Sequence, residues 1–576
     1  MPEKDKKKIE STDIWLKWQK SHDYMQKKGL ISKTNKFWKF YLGDQWTGLK
    51  KGNEDLPTMN MIKPIVKYKV STISQNAMIA NYSDASANEG AEHRGIYKEF
   101  NRRFSQSWEK AKMTDVCWRN NKAAAVQGDS YVYFGTRDTN DQPQIIQNTA
   151  IFFGDENTEN LQDQPYIIIR ERLDRKTVVE EARENGIPEE EIQMIATDDN
   201  TEDEVFNRDE VKDKVTSLLY FTKIDGIVNF AKATKTCIYK PMEALTVNRG
   251  GRAIGGLTTY PIVPYIWEVQ PNSARGLGEV EMLIPNQLEL NKTLARRAIA
   301  VKLAAFPRIA YDATSIENPE DLDKVGKAIG VTTGNAQSIS QAVSYLNPAH
   351  ISGDAQQLFS DLLDQTKDLV GAGDNALGNI DPERASGQAI MAVRDQTQVP
   401  LNEQINTYQR FVEDVAMLWF DLWSTYDPDG FYEDVTDPTT GETRREKIPY
   451  EEIINLRPTV RIDVSQDNRW TKLAEQQAAD QLLNNQQIGF SEWVELCAEN
   501  GPIPKSKLLK IVRDRDQRQK EMQQQQAQQP PVDQNGNPVP PEAGLQMPPG
   551  QEGPSVEQVQ EGAGNPTDNM EGAPVR

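Results

Sequence analysis

Side-chain catalysis needs nucleophiles, acid–base pairs or metal ligands at workable spacing, and this sequence offers few. Its three histidines, His22, His93 and His350, are far apart, and no HExxH, CxxC or GxSxG occurs. The stretch Gly371-Ala372-Gly373-Asp374-Asn375-Ala376-Leu377-Gly378 lacks the Lys that a phosphate-cradling loop aims at a nucleotide. Cys117, Cys237 and Cys497 are too dispersed for a disulfide framework and read as buried thiols. Carboxylates remain, since hard cations accept oxygen ligands alone. The densest run is Asp198-Asp199-Asn200-Thr201-Glu202-Asp203-Glu204, but Asp203 stands where a calcium loop needs its turn glycine. A solvated charged face is the simpler reading. No catalytic residue, metal site or cofactor is expected.

Charge narrows the class further. Lys+Arg 66 against Asp+Glu 86 gives a formal net charge of -20. A basic DNA-coating protein needs the opposite balance to neutralise phosphates. No apolar run approaches the ~18 residues of a membrane helix, and the start MPEKDKKKIE lacks a signal peptide's apolar core. The expected setting is the cytoplasm or a particle assembled there, with no membrane partner.

The 576 residues leave room for three or four domain-sized units. The chain to about residue 127 reads as helical and aromatic, with Trp15, Trp18, Phe37, Trp38, Tyr41 and Trp46 spaced to staple a core. Helical patterns run from Lys63 to Met78 and from Tyr97 to Val126. Short apolar runs at 130–134, 166–169, 218–221 and 262–267 predict strands around an acidic insert at 174–214, and Gly250-Gly251 and Gly255-Gly256 read as hairpin turns.

The most informative part follows. Val280, Leu283, Ile284, Leu288, Leu294, Ala295, Ala298 and Ile299 form a helical stripe over about 28 residues, interrupted at most by Pro285. Residues 307–351 lose that period and gain turn formers. A second helix opens near Ser352 or Asp354, carries Ala355, Leu358, Phe359, Leu362, Leu363, Leu369 and Val370 on one side, and stops at Gly371. Two rods bracketing a small insert make a helical hairpin, an unusual layout for an enzyme. A loop to Ser386 precedes a long helix to Trp423, in which Ile405, Tyr408, Val412, Val415, Trp419 and Leu422 trace one seam. Pro400 is expected to kink that helix. A strand at 459–464 and helices at 470–525 follow. From Glu521 onward Gln, Pro and Gly make up half of the residues, a composition expected to stay disordered.

This order resembles the portal proteins of tailed bacteriophages over about residues 30–515. The resemblance is carried by Tyr41-Leu42-Gly43-Asp44-Gln45-Trp46, by Gly278-Glu279-Val280-Glu281 with Gln287-Leu288-Glu289-Leu290-Asn291, and by Ser386-Gly387-Gln388-Ala389. It implies an α+β portal-like fold. Residues 1–277 would be N-terminal helices and a strand-rich wing, 278–306 and 352–371 the stem, and 307–351 the clip. Residues 372–386 would be the tunnel loop, 387–465 the kinked helix with further wing strands, 466–520 the crown and 521–576 the tail.

The resemblance also implies a homododecameric ring at one capsid vertex of the virion, through which double-stranded DNA is packaged and ejected. Implied partners are the terminase large subunit, the major capsid and scaffolding proteins, and a head–tail adaptor. Asn375, Leu377, Asn379 and Arg384 of the tunnel loop would approach DNA. Lys292 and Arg296 share a helix face with Arg297 about 100° away. They would either form a positive ring toward DNA or pair with acidic residues of an adjacent helix, such as Asp361 or Asp364. An acidic channel would repel phosphate and keep DNA mobile, which accommodates the charge of -20. Other classes fit less well. A metal-dependent nucleic-acid-processing enzyme would need converging carboxylates that no spacing here argues for, and a monomeric structural adaptor would not form a ring.

Overall fold

A computed structural model describes residues 10–46, 56–75, 77–84, 94–136, 142–198, 213–249, 252–305, 309–314, 318–322, 328–332, 343–345, 353–369, 399–427, 431–436, 443–449 and 458–465, with single or few positions elsewhere. The chain divides into two compact units, Met1–Thr471 and Lys472–Arg576. In the second, Trp493 donates its indole N–H to Asp480 at 2.9 Å. All elements below belong to the first.

The fold is mixed α+β. The helices are α1 Ser11–Lys27, α2 Leu30–Leu42, α3 Ile62–Ser74, α4 Arg94–Lys110, α5 Met113–Gln127, α6 Arg175–Glu184, α7 Glu189–Gln193, α8 Glu279–Ala305, α9 Gly353–Leu369 and α10 Asn402–Tyr426. A five-stranded antiparallel sheet runs in the order Ile151–Phe153, Tyr166–Asp174, Lys214–Ile224, Ile227–Ala233, Ile238–Ala244. The central strands are apolar on both faces because α1 covers one side with Ile14 and Trp18, while the main core covers the other. His22 belongs to this aromatic packing, 5.1 Å from the Trp18 ring and 6.1 Å from that of Phe152. The acidic insert is helical at α6 and α7, and Asp198 is bound by Arg172 and the Thr216 amide.

Two helical expectations are corrected. The pattern from Lys63 breaks after Ser74, and Ala77–Asp84 is a strand paired antiparallel with Pro458–Ser465. A partner nearly four hundred residues away overrides the local preference. The pattern from Tyr97 is two helices, because Lys112 takes a left-handed conformation with φ 51. Glycines 255 and 256 lie within a strand, Arg252–Gly256, paired with Thr246–Arg249 through a register shift. In α10 the expected seam is buried from Tyr408 onward and is widened by Phe411, Ala416, Leu418 and Trp423. It packs against Ile262–Ile266, α4 and the Ala77–Asp84 pair, so it is enclosed on several sides. Pro400 lies in a 3-10 turn, Val399–Leu401, leading into α10; residues 372–398 lie outside the described residues.

Candidate functional site

The hairpin of α8 and α9 is the part whose layout is least explained by core building alone. At 1.5 Å per residue α8 is a rod of about 40 Å. Its beginning is set by a backbone crossing. A Cβ added to Gly128 would meet the Gly276 carbonyl oxygen at 2.3 Å, and one on Gly278 would meet the Gly128 nitrogen at 2.8 Å. Gly128 also has φ +104, which excludes ordinary side chains. α5 therefore delivers its end directly against the start of α8.

Polar groups hold the first half of α8. Lys69 and Glu279 form an ion pair of 2.7 Å with side chains only 9% exposed, and the Trp267 indole N–H also reaches Glu279. About two turns further, Gln287 accepts the Met61 amide at 2.9 Å and donates to the Met59 carbonyl at 2.7 Å. Asn291 accepts the Met59 amide at 3.2 Å and donates to Gln45 at 2.5 Å, while Gln45 donates to the Phe40 carbonyl. Gln287 and Asn291 are fully buried, so these bonds replace water entirely. Two segments singled out by sequence, Tyr41–Trp46 and Gln287–Asn291, thus meet as one clasp, with the Gly278–Glu281 segment immediately before it. The Ser386–Ala389 segment lies outside the described residues.

A second buried centre supports this base. Arg275 donates to the carbonyls of Asn148 and Ile151 and pairs with Glu156 and Asp129, while Phe153 lies under its guanidinium at 4.5 Å. Burial raises the Asp129 carboxyl above its usual range, and the Arg275 charge opposes that shift. Neither this hub nor the clasp is among the expectations read from the sequence. The signal was present: Gln287 and Asn291 fall on the same face as Val280 and Ile284, and Lys69 falls between Ile65, Val66 and Ile73 on the buried face of α3. Polar residues on an apolar stripe mark buried networks.

Beyond Ala295, the last buried position of α8 among the described residues, the rod becomes more exposed, and Val301 is 58% exposed. α9 packs along it through Phe359, Leu363 and Thr366, with Asn286 donating to Thr366 at 3.0 Å. Leu358, expected on the buried side, is 49% exposed; the stripe is narrower than its apolar spacing suggests because α8 covers one face only. Lys292 and Arg296 both pair with Glu289 of their own helix, at 3.6 and 3.3 Å. Arg297 instead lies over the Phe359 ring at 5.7 Å, inside the hairpin. Between the helices, Ile309–Tyr311 and Val343–Tyr345 form a two-stranded antiparallel ladder. Gly371, at φ +67, ends α9 as expected, and its Cα side faces the Pro400 ring, which an added Cβ would approach to 3.0 Å. The chain therefore leaves for and returns from 372–398 at one point. Asn375, Leu377, Asn379 and Arg384 lie outside the described residues.

A family model of phage P22-like portal proteins matches residues 21–551. The chain belongs to the P22-like portal protein family. No curated protein matches it. The portal family is structural rather than catalytic. Among the described residues no group of three or more His, Cys, Asp or Glu is placed to hold a metal ion, and no helix is long and apolar enough to cross a membrane. Cys117 and Cys237 are buried free thiols, as their dispersal suggested; His93, His350 and Cys497 lie outside the described residues.

Proposed function

We propose that this portal protein assembles as a closed ring, dodecameric in the manner of its family, at one vertex of a phage capsid, and that double-stranded DNA is packaged and later ejected through its centre. In that reading α8 and α9 are the stem, and the insert with its Ile309–Tyr311 and Val343–Tyr345 ladder is the clip that meets the terminase large subunit and then a head–tail adaptor. The rest of the described first unit is the wing, which faces the major capsid and scaffolding proteins. Residues 466–520 are the crown. Residues 372–386, entered and left at Gly371 and Pro400, are the tunnel loop, with Asn375, Leu377, Asn379 and Arg384 toward DNA.

One observation carries the reading: the family match spans the helix–insert–helix layout together with the clasp that roots it. A long hairpin rooted at its base and with exposed positions such as Val301 further along suits repetition around an axis, where each copy contacts the next by unlike surfaces. The net charge of -20 suits a conduit, since phosphate is repelled and the polymer slides. Native mass spectrometry of the full chain tests the proposal: a single species of about a dozen copies supports it, and a stable monomer at assembly concentrations sinks it.

A further inference from the structure

Three sides of α8 have different surroundings. Gln287 and Asn291 point into the core, and Asn286 and Arg297 point at α9. The third side carries Glu289, Lys292 and Arg296, with Lys292 and Arg296 side chains 50% and 70% exposed. Two cations there share one carboxylate, which among the described residues leaves one positive charge in excess. α9 shows the reverse. With Phe359, Leu363 and Thr366 turned to α8, Asp361 and Asp368 lie about 170° round the helix from them, and Asp364 about 130°. All three aspartates are exposed, and among the described residues no ion pair involves them. The hairpin therefore has a positive flank on α8 and a negative flank on the far side of α9.

Two contacts within the hairpin fix the relative height of these flanks. Asn286 meets Thr366, and Arg297 meets Phe359, so the helices run antiparallel. Lys292 and Arg296 lie between Asn286 and Arg297; Asp361 and Asp364 lie between Phe359 and Thr366. The opposite charges occupy the same stretch of the rod. Copies related by rotation about an axis along the rod keep their heights, so the positive flank of one copy comes level with the negative flank of the next. Unlike flanks on one molecule are what a head-to-tail, ring-closing contact requires. Leu358, half exposed beside Asp361, supplies apolar surface that a neighbour would cover.

We propose that a second copy of this chain is the partner of both flanks, Lys292 and Arg296 of each copy facing Asp361 and Asp364 of the next. This rests on the ring reading above. It also separates these cations from DNA: they set the order and spacing of subunits, and the lumen is lined by other residues.

The test is charge reversal in the full chain, read by native mass. Lys292→Glu with Arg296→Glu makes both flanks acidic, and Asp361→Lys with Asp364→Lys makes both basic. Each variant alone is expected to lose its rings and run as monomer at concentrations where the unaltered chain is assembled, because like charges meet at every contact. Circular dichroism and melting of the monomers, unchanged for such exposed positions, separate this loss from misfolding. Carrying all four substitutions should restore the ring. Mixing the two one-sided variants should give rings containing equal numbers of each, since only unlike copies attract. Rings of the Lys292→Glu, Arg296→Glu variant at wild-type yield would overturn the pairing; if those rings fail to package DNA, the cations face the lumen instead. Failure of the four-fold variant to reassemble would also overturn it. Absence of rings from the unaltered chain would refute the ring reading itself, a separate result.

Discussion

Replacing Gln287 by Leu removes the amide at the centre of the clasp that roots α8 while keeping a side chain of similar size. The Met61 amide then loses its acceptor at 2.9 Å in a site where Met61 is 6% exposed. A buried orphan donor costs about 1–3 kcal/mol. The Met59 carbonyl and Asn291 lose a donor each, at 2.7 and 3.1 Å. Met59 is 40% exposed, so water replaces part of that bond, and each of the two losses is worth about 0.5–1.5 kcal/mol. The total is about 2–6 kcal/mol. If Met1–Thr471 melts as one unit, scaling unfolding entropy with length gives a fall in Tm of about 1 °C per kcal/mol, so about 2–6 °C. Hydrogen exchange followed by mass spectrometry supplies the sharper readout, because exchange of the 59–62 backbone should rise selectively. Lys33→Ala, which removes an exposed pair with Glu281 at 3.2 Å, is the control and should move Tm by no more than about 1 °C. A Gln287→Leu protein with unchanged Tm and a still protected Met61 amide would refute the claim that this network holds the helix base.

Three further outcomes follow from the same geometry. Arg275→Met should destabilise the first unit by about 3–5 kcal/mol, seen as a lowered Tm, because the buried Asp129 and the largely buried Glu156 lose their cation; a loss under about 1 kcal/mol would contradict the hub. Burial pushes the Cys117 thiol up to about 12, so at pH 8 it stays protonated, and site-resolved mass spectrometry should show it unmodified by a thiol reagent until the protein is denatured. Rapid native labelling of Cys117 would mean that α5 opens easily. Deleting 375–380 with a Gly link should leave ring assembly intact, since Gly371 and Pro400 already meet, yet impair packaging or retention of DNA; a deletion phage that packages and retains DNA normally would make the segment a spacer.

Much of this architecture is readable from residue pattern where the signal is local. The stripe from Val280 onward, the stop at Gly371 and the seam from Tyr408 to Leu422 are helix-period patterns, and each corresponds to an observed helix. The strand at Pro458–Ser465 shows in its alternation of Val460, Ile462 and Val464 with polar residues, but its partner Ala77–Asp84 reads at its start as the end of a helix, because that strand exists only through pairing with it. The break at Lys112 is likewise invisible, since nothing in a lysine announces a left-handed turn. The hidden part of the candidate site is polar. Lys69, Gln287 and Asn291 are polar residue types usual at surfaces, and only their placement on apolar helix faces betrays that they are buried partners; Gln45, in the loop after α2, carries no such mark. Leu358 errs in the other direction: its spacing suits a core, while α9 buries only the side that carries Phe359, Leu363 and Thr366.

The central claim is that this chain forms a single portal ring around DNA. A reconstruction of phage particles by electron cryomicroscopy, computed without imposed symmetry, tests it most directly. The account predicts a ring at one vertex only, with paired helices of the length of α8 and α9 lining a channel that holds DNA density. A chain found at every vertex, distributed through the capsid wall, or absent from DNA-filled particles would contradict it.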